Sequence, residues 1–147
     1  MTNRPRAEIH VVAGGLFDGQ GRVLIAQRPP GKVLAGRWEF PGGKLNAGEP
    51  AFAGLVRELA EELSVTVHAG ERLLRYAHDY ADRRVWLDMW RVTNWSGEVR
   101  GVEGQALRWV AIGELPRVDI LEADQPIIER LQGEDRGAGL AGPLIGR

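Results

Sequence analysis

The pattern of apolar and polar positions predicts a chain built mainly of short strands. Apolar or alternating runs bounded by turn residues are typical of strands. Such runs cover 9–17, 23–27, 38–40, 72–80, 83–90 and 107–111. The first two flank Asp18-Gly19-Gln20-Gly21, which indicates a hairpin, and residues 28–36 are rich in proline and glycine and predict a loop.

Two segments follow the helical period instead of the strand period. Between Pro50 and Ser64, apolar residues recur on one arc of a helix, at positions 52, 55, 56, 59 and 63. The second helix should begin near Asp124, a good N-cap, and should end at Gly133. Mixed strands with a helix on either side imply the α/β class, as an α/β/α sandwich with a mixed sheet between helices.

The first helix carries a concentration of negative charge beside its apolar arc. Glu58, Glu61 and Glu62 fall within an arc of about 100°. Like charges at these spacings cost a few tenths of a kcal/mol per pair unless a cation neutralises them. The pattern therefore has two interpretations, a metal site or a solvated acidic face on which Arg57 pairs with Glu61.

The composition fits one small enzyme domain of 147 residues, 44% of them hydrophobic. Cysteine is absent, which excludes disulfides, a thiol nucleophile and cysteine-ligated metals. The 19 basic and 20 acidic residues leave no positive excess to hold a polynucleotide. No apolar run approaches about 18 residues, so we expect no membrane span, no export and a cytoplasmic location.

The residues around the acidic turn have a regular spacing. Gly43 is followed by Glu49, then by Arg57-Glu58-Leu59, and then by Glu61-Glu62 and Val65. This spacing resembles the Nudix box, G-x(5)-E-x(7)-R-E-U-x-E-E-x-G-U, in which U is an aliphatic residue. One position departs from it. Ser64 stands where the box has its last glycine, just past the helix end, where a left-handed residue is expected.

The resemblance implies the Nudix fold and a divalent-cation site on the box helix. Magnesium favours oxygen ligands and shares its coordination sphere with substrate phosphates, and manganese is the alternative cation. Arg57 is expected to brace the acidic side chains through its planar guanidinium rather than to touch substrate. The implied metal ligands are Gly42, Glu58, Glu61, Glu62 and Glu103, and the implied catalytic set is Arg57, Glu58, Glu61 and Glu62.

Similarity to the MutT branch of the family extends from residue 8 to about 132. It rests on Arg28, on the runs 38–44, 82–83 and 101–105 and, more loosely, on 123–126. Members of this branch cleave nucleoside triphosphates, notably 8-oxo-dGTP, to a monophosphate and pyrophosphate. The resemblance therefore implies a hydrolase that sanitises the nucleotide pool in support of DNA repair. The implied substrate contacts are Arg28, Phe40, Gly43, Lys44, Arg83 and Asp124.

Asp124 bears on base preference, because the founding MutT type has asparagine at the matching place. An amide can both accept and donate a hydrogen bond, whereas an ionised carboxylate can only accept one. Asp124 should therefore contact a donor edge, such as N1–H and N2–H of a guanine or the exocyclic amine of cytosine. Its alternative role is to cap the second helix.

Other interpretations stay open. A Nudix enzyme could act on cytidine triphosphates, dinucleoside polyphosphates or ADP-ribose, although the absence of proline between Pro50 and Pro116 counts against ADP-ribose. A protein of another class would be a non-catalytic nucleotide-sensing module, and the intact acidic positions argue against it. We expect a small-molecule nucleotide as partner, a monomer or homodimer, a hydrolase domain over 1–133, and a glycine-rich tail or linker over 134–147.

Overall fold

The computed structural model of the protein describes residues 7–140. Seven strands and two α-helices follow one another within this range, and short 3-10 turns precede the second helix. The elements are β1 (Ala7–Gly15), β2 (Arg22–Gln27), β3 (Trp38–Glu39), β4 (Gly42–Lys44), α1 (Ala51–Leu63), β5 (Thr66–Asp79), β6 (Arg83–Ser96), β7 (Leu107–Ala111) and α2 (Gln125–Leu140). No helix among these residues is long and apolar enough to cross a membrane.

The strands form two sheets. The larger is mixed, with the order β4-β1-β6-β5, and β1 runs parallel to β6 while its other pairings are antiparallel. The smaller is antiparallel, with the order β3-β2-β7. Strands β3 and β4 belong to different sheets although they adjoin in sequence, so residues 40–41 pass from one sheet to the other.

Alternation along the strands divides the interior into two clusters, one for each helix. Val12 and Leu24 face α1, where they pack with Leu55, Leu59 and Leu63. Their sequence neighbours face α2, where Ala13, Val23 and Ile25 join Ile127, Ile128 and Leu131. Because successive strand residues point to opposite faces, the sheets lie between the helices. The predicted α/β/α sandwich is confirmed.

Helix α1 has the amphipathic form that its sequence predicts. Pro50 occupies the N-cap position in an extended conformation, and Leu55, Leu59 and Leu63 are fully buried. Ser64 ends the helix with φ 61° and ψ 33°, so the predicted left-handed residue is confirmed. Its backbone N–H donates to the Ala60 carbonyl at 3.1 Å, which closes the last turn.

Three expectations about elements need correction. The hairpin at 18–21 is real, with Gly21 N donating to the Asp18 carbonyl, but its pairing ends near the turn because β1 and β2 enter different sheets. The strands predicted at 72–80 and 83–90 are longer, because residues 66–71 of β5 and 91–96 of β6 also pair with each other. Helix α2 does not end at Gly133 and continues to Leu140.

Candidate functional site

A cavity of about 620 Å³ opens where the two sheets, α1 and the loop after β2 meet. Its walls include Phe40 and Tyr80 as well as the glycines of β4. The remaining lining mixes apolar and charged side chains, and among the charged ones acids outnumber bases. They are Glu39, Glu58, Glu62, Glu103 and Asp124, against Arg28, Lys32 and Lys44.

One end of the cavity is acidic. Glu58 and Glu62 project from α1, and Glu103 reaches the same space from the loop between β6 and β7. Burial raises the pKa of Glu62 to about 8, and the nearby carboxylates of Glu58, Glu39 and Glu103 add to that rise, whereas a hydrogen bond from the Gly42 N–H opposes it. A cation bound beside Glu62 would stabilise its ionised form, because the positive charge offsets both the lost solvation and the repulsion from neighbouring carboxylates.

The β4 glycines are needed for close approach rather than for a turn. A Cβ on Gly43 would lie 2.4 Å from Oε2 of Glu58, and one on Gly42 would lie 2.0 Å from the Val12 carbonyl oxygen. Neither glycine has a positive φ. Both residues lie within strand β4, so they are not turn glycines. Their lack of side chains brings backbone amides and Glu58 together at the cavity wall.

Arg57 braces the acidic helix as predicted. Its Nε and Nη2 donate to the two oxygens of Glu49, each at 2.8 Å, and Nη1 donates to Glu58 at 2.8 Å. Nη2 also donates to the Lys44 carbonyl at 3.0 Å. These bonds hold the pKa of Glu49 at about 2. Arg57 thus ties α1 to the β4–α1 connection, and it is absent from the cavity lining.

Glu61 differs from the other predicted acidic ligands. Its side chain is 61% exposed, pairs with Arg57 Nη1 at 3.4 Å, and does not line the cavity. Within residues 7–140 no three acidic or histidine side chains already converge as a closed ligand set. Magnesium needs only one or two protein carboxylates beside water and phosphate oxygens, and all donors here are oxygens, so the residues of the acidic end fit such a cation.

A second part of the cavity lining pairs an aromatic ring with a buried carboxylate. Phe40 is 3% exposed and belongs both to the α2-side core and to the cavity wall. Its N–H donates to Oδ2 of Asp124 at 3.0 Å. Asp124 directly precedes α2, where a cap would stand, yet this carboxylate oxygen bonds a backbone N–H beside β3.

Burial changes the protonation expected of Asp124. Because the side chain is removed from water, its pKa is raised to about 7, and Glu39 raises it further while the Phe40 N–H and Arg28 oppose the shift. The expectation that this group is a fixed, ionised acceptor needs correction. Near neutral pH it exchanges between an acceptor and a neutral acid that can also donate.

Arg28 is held beside this part of the lining by a carboxylate that the sequence did not single out. Its Nη1 donates to Oε1 of Glu39 at 3.0 Å, and its Nε donates to the Val33 carbonyl at 2.8 Å. Glu39 lies in a two-residue strand and reads as an ordinary strand acid. Burial raises its pKa although Arg28 and Lys32 favour its charge. Only the pairing of β3 with β2 reveals that it faces the cavity.

Two further predicted contacts are placed differently. Lys44 lines the acidic end, as expected of a residue that meets phosphate. Arg83 is not part of the lining. Its guanidinium lies 4.3 Å from the ring centre of Tyr80, and that ring does line the cavity. Tyr80 was missed because a tyrosine beside a predicted turn carries no signal of its own.

Comparison with known proteins gives a consistent family. A family model described as NUDIX domain matches residues 12–130. The chain is 36% identical over 121 residues to the CTP pyrophosphohydrolase of Escherichia coli K12, covering 82% of this chain and 89% of that protein. It is 44% identical over 119 residues to the putative 8-oxo-dGTP diphosphatase 2 of Mycobacterium tuberculosis H37Rv, covering 78% and 82% respectively.

Solved structures agree with this assignment. The chain superimposes with a TM-score of 0.76 and 35% identity on a structure described as MutT from Aliivibrio salmonicida and Vibrio cholerae, covering 86% of this chain and 98% of that one. With the E. coli ORF135 protein the TM-score is 0.78 at 33% identity, and the shares covered are 94% and 95%.

Proposed function

Because the chain belongs to the NUDIX domain family, we propose that it is a magnesium-dependent nucleoside triphosphate pyrophosphohydrolase whose preferred substrate is 8-oxo-dGTP. The products would be 8-oxo-dGMP and pyrophosphate. Support comes from relatives named 8-oxo-dGTP diphosphatase and from structural neighbours named MutT. A role in nucleotide-pool sanitation follows from that substrate.

The observation that carries the proposal is a single cavity with two chemically different groups of lining residues. Glu58, Glu62 and Glu103 form one group, and Phe40 and Asp124 form the other. An acidic group supplies oxygen ligands to a cation that binds phosphates, and an aromatic group with a polar handle suits a base. A nucleoside triphosphate has these two parts in one molecule.

The roles combine position in the cavity with the family resemblance, on which the parts given to Glu61 and Arg83 rest, since neither lines the cavity. Glu58, Glu61, Glu62 and Glu103, with the backbone of Gly42, would hold Mg²⁺ or Mn²⁺, and the bound cation would offset the charge that builds on the phosphate oxygens. Arg57 would keep the glutamates in place. Gly43 and Lys44 would meet the phosphates, Phe40 would pack on the base, and Arg28, Arg83 and Asp124 would act at the base.

A cytidine triphosphate is the second candidate substrate. The 36% identity to a protein named CTP pyrophosphohydrolase favours it, and the amine of cytosine is a donor that an ionised Asp124 could accept from. A nucleotide-sensing module without catalysis is the alternative of another class. Retention of an acid at each implied ligand position speaks for catalysis.

A nucleotide panel tests these alternatives directly. Purified protein is assayed with Mg²⁺ on 8-oxo-dGTP, dGTP, dCTP, CTP and ADP-ribose, and released pyrophosphate is scored against released phosphate. We expect pyrophosphate, with the highest kcat/KM on 8-oxo-dGTP and a cytidine triphosphate second. A preference for dCTP or CTP would select the second candidate, and binding without hydrolysis would select the sensing module.

A further inference from the structure

The side chain of Gln105 joins two parts of the acidic end. Its Oε1 accepts a hydrogen bond from the backbone N–H of Glu103 at 2.9 Å. Its Nε2 donates to the backbone carbonyl of Glu62 at 3.1 Å. Glu62 and Glu103 both line the cavity, so one amide connects the backbones of two acids that reach it from different elements.

The whole segment around Gln105 is docked on the C-terminal end of α1. Arg100 N donates to the Leu63 carbonyl at 2.9 Å, and Val102 N donates to the Glu62 carbonyl at 3.1 Å. Carbonyls in the last turn of a helix lack partners within the helix, so they are free to bind a neighbouring loop. The Glu62 carbonyl accepts two bonds from this loop, one from Val102 and one from Gln105.

A tight turn presents Glu103 between these attachments. Gly104 N donates to the Gly101 carbonyl at 2.9 Å, and Gly104 has φ +78°. A Cβ on Gly101 would lie 2.4 Å from the Gln105 carbonyl oxygen, so the chain doubles back closely at this point. Glu103 lies at the tip of this turn, where only the Gln105 amide bonds its N–H among the described residues.

We propose that Gln105 is a positioning residue that fixes Glu103 against Glu62, so that both carboxylates can act on one divalent cation. The proposal rests on the proposed function, in which these two acids belong to the cation site. The amide of glutamine offers an acceptor and a donor on one carbon and in one plane, and it does not titrate. Methionine has the same reach without either strong group, and alanine has neither reach nor hydrogen bonds.

The experiment compares Gln105→Ala and Gln105→Met with wild type, Glu103→Ala and the double variant Gln105→Ala/Glu103→Ala. Gln132→Met is the matched control, because Gln132 Nε2 also donates to a backbone carbonyl, that of Ile112 at 3.3 Å, but away from the cavity. Binding of Mn²⁺ alone is measured by electron paramagnetic resonance without nucleotide, together with Tm and the Mg²⁺ concentration that gives half-maximal hydrolysis.

We expect both Gln105 variants to bind Mn²⁺ about tenfold more weakly, the lower end of the range for groups that orient metal ligands. Glu103→Ala should weaken binding further, and the double variant should be no worse than Glu103→Ala, because Gln105 acts through Glu103. Gln132→Met should bind Mn²⁺ like wild type. An equal loss of Tm in Gln105→Ala, Gln105→Met and Gln132→Met would measure the contribution of these hydrogen bonds to stability, separately from the effect of Gln105 on Mn²⁺ binding.

Each contrary result has a distinct meaning. Wild-type Mn²⁺ affinity in both Gln105 variants would overturn the inference, as would additive losses in the double variant. A raised KM for nucleotide at unchanged Mn²⁺ affinity would show that Gln105 contacts substrate instead. If Glu103→Ala itself bound Mn²⁺ normally, the cation role of Glu103 in the proposed function would be wrong, and the inference would fall with it.

Discussion

Gly43 shows how one residue shapes the acidic end. Its place is set by the sequence spacing, but the reason for glycine comes only from the structure, where Oε2 of Glu58 occupies the space of a Cβ. The same holds for Arg57. Its charge suggests that it pairs with nearby acids, and the structure shows that its partners are Glu49 and Glu58. Glu39 and Gln105 lie in runs that carry the family resemblance, but their hydrogen bonds could be seen only in the fold.

The first prediction concerns the charge of Glu58. Glu58→Gln keeps the shape and removes one negative charge, so kcat should fall by at least about 10²-fold, the scale on which lost electrostatic stabilisation acts. Glu61→Gln should behave in the same way, because the family resemblance assigns it to the same ligand set. Steady-state hydrolysis with Mg²⁺ gives the rates, and Tm should change little because the apolar face of α1 is untouched.

The matched control is Glu114→Gln, which alters an exposed acid that pairs with Arg117 far from the cavity. It should hydrolyse substrate at the wild-type rate. Near wild-type rates in both Glu58→Gln and Glu61→Gln would refute the metal assignment.

The second prediction uses the raised pKa of Asp124, about 7. The donor that distinguishes 8-oxoguanine from guanine is N7–H, so the prediction tests whether Asp124 faces N7 instead of the N1–H and N2–H expected from the sequence. As pH rises through 7 the group loses its proton and becomes an acceptor only, which suits the N7–H of 8-oxoguanine and opposes the bare N7 of guanine. The ratio of kcat/KM for 8-oxo-dGTP to that for dGTP should then rise between pH 6 and pH 8, by up to about 100-fold for one titrating group whose two forms favour opposite substrates.

Asp124→Asn is the control, since its amide does not titrate and its ratio should stay flat over the same range. Taking a ratio removes the titration of the phosphates and of the acidic end, because both affect the two substrates alike. A flat ratio in wild type would show that Asp124 does not contact N7 and would leave it the role of joining α2 to the Phe40 backbone.

At the scale of elements, sequence patterns gave the type of each element more reliably than its length. The period of α1 is unmistakable because a buried leucine stripe lies beside a charged arc. The parts of β5 and β6 that the sequence missed, 66–71 and 91–96, pair with register shifts at 67–70, and such irregularities interrupt the alternation that a regular strand shows. Gly133 predicts a helix end, yet a glycine inside a helix costs only about 1 kcal/mol, and α2 continues through it.

The third prediction concerns the end of α1. Ser64 has φ 61°, a conformation that strains residues with a Cβ but not glycine. Ser64→Gly should therefore leave the free energy of unfolding unchanged or raise it by up to about 1 kcal/mol, as measured by urea denaturation. Catalysis should barely respond, because the cavity lining from α1 ends at Glu62. A clear loss of stability would show that the serine side chain contributes something that the backbone argument omits.

At the scale of the whole molecule, the site arises where two sheets diverge. The sequence indicated an α/β/α sandwich, but the division of the strands into two sheets depends on pairings between distant residues, such as Trp38 with the segment at 119–121. That division brings Asp124 to Phe40 across 84 residues of chain. Local sequence patterns relate residues that are close in sequence, so they were enough to predict helix α1. Phe40 and Asp124 were assigned to the base only through the family resemblance.

The last prediction tests where the domain ends. Among residues 125–135, the part of α2 whose side chains are described, the buried residues are Ile127, Ile128 and Leu131, all before Gly133, whereas Glu134 forms exposed ion pairs with Arg91 and Arg130. Such pairs contribute about 0–1 kcal/mol, so a chain ending after Gly133 should keep its kcat/KM and lose only about 2–4 °C in Tm. In the full chain, Leu131→Ala removes core volume instead and should cost about 2–5 kcal/mol, which sets the scale for a true loss of packing. If the shortened chain were as unstable as Leu131→Ala, or inactive while folded, residues beyond 133 would belong to the hydrolase domain and the predicted boundary would be wrong.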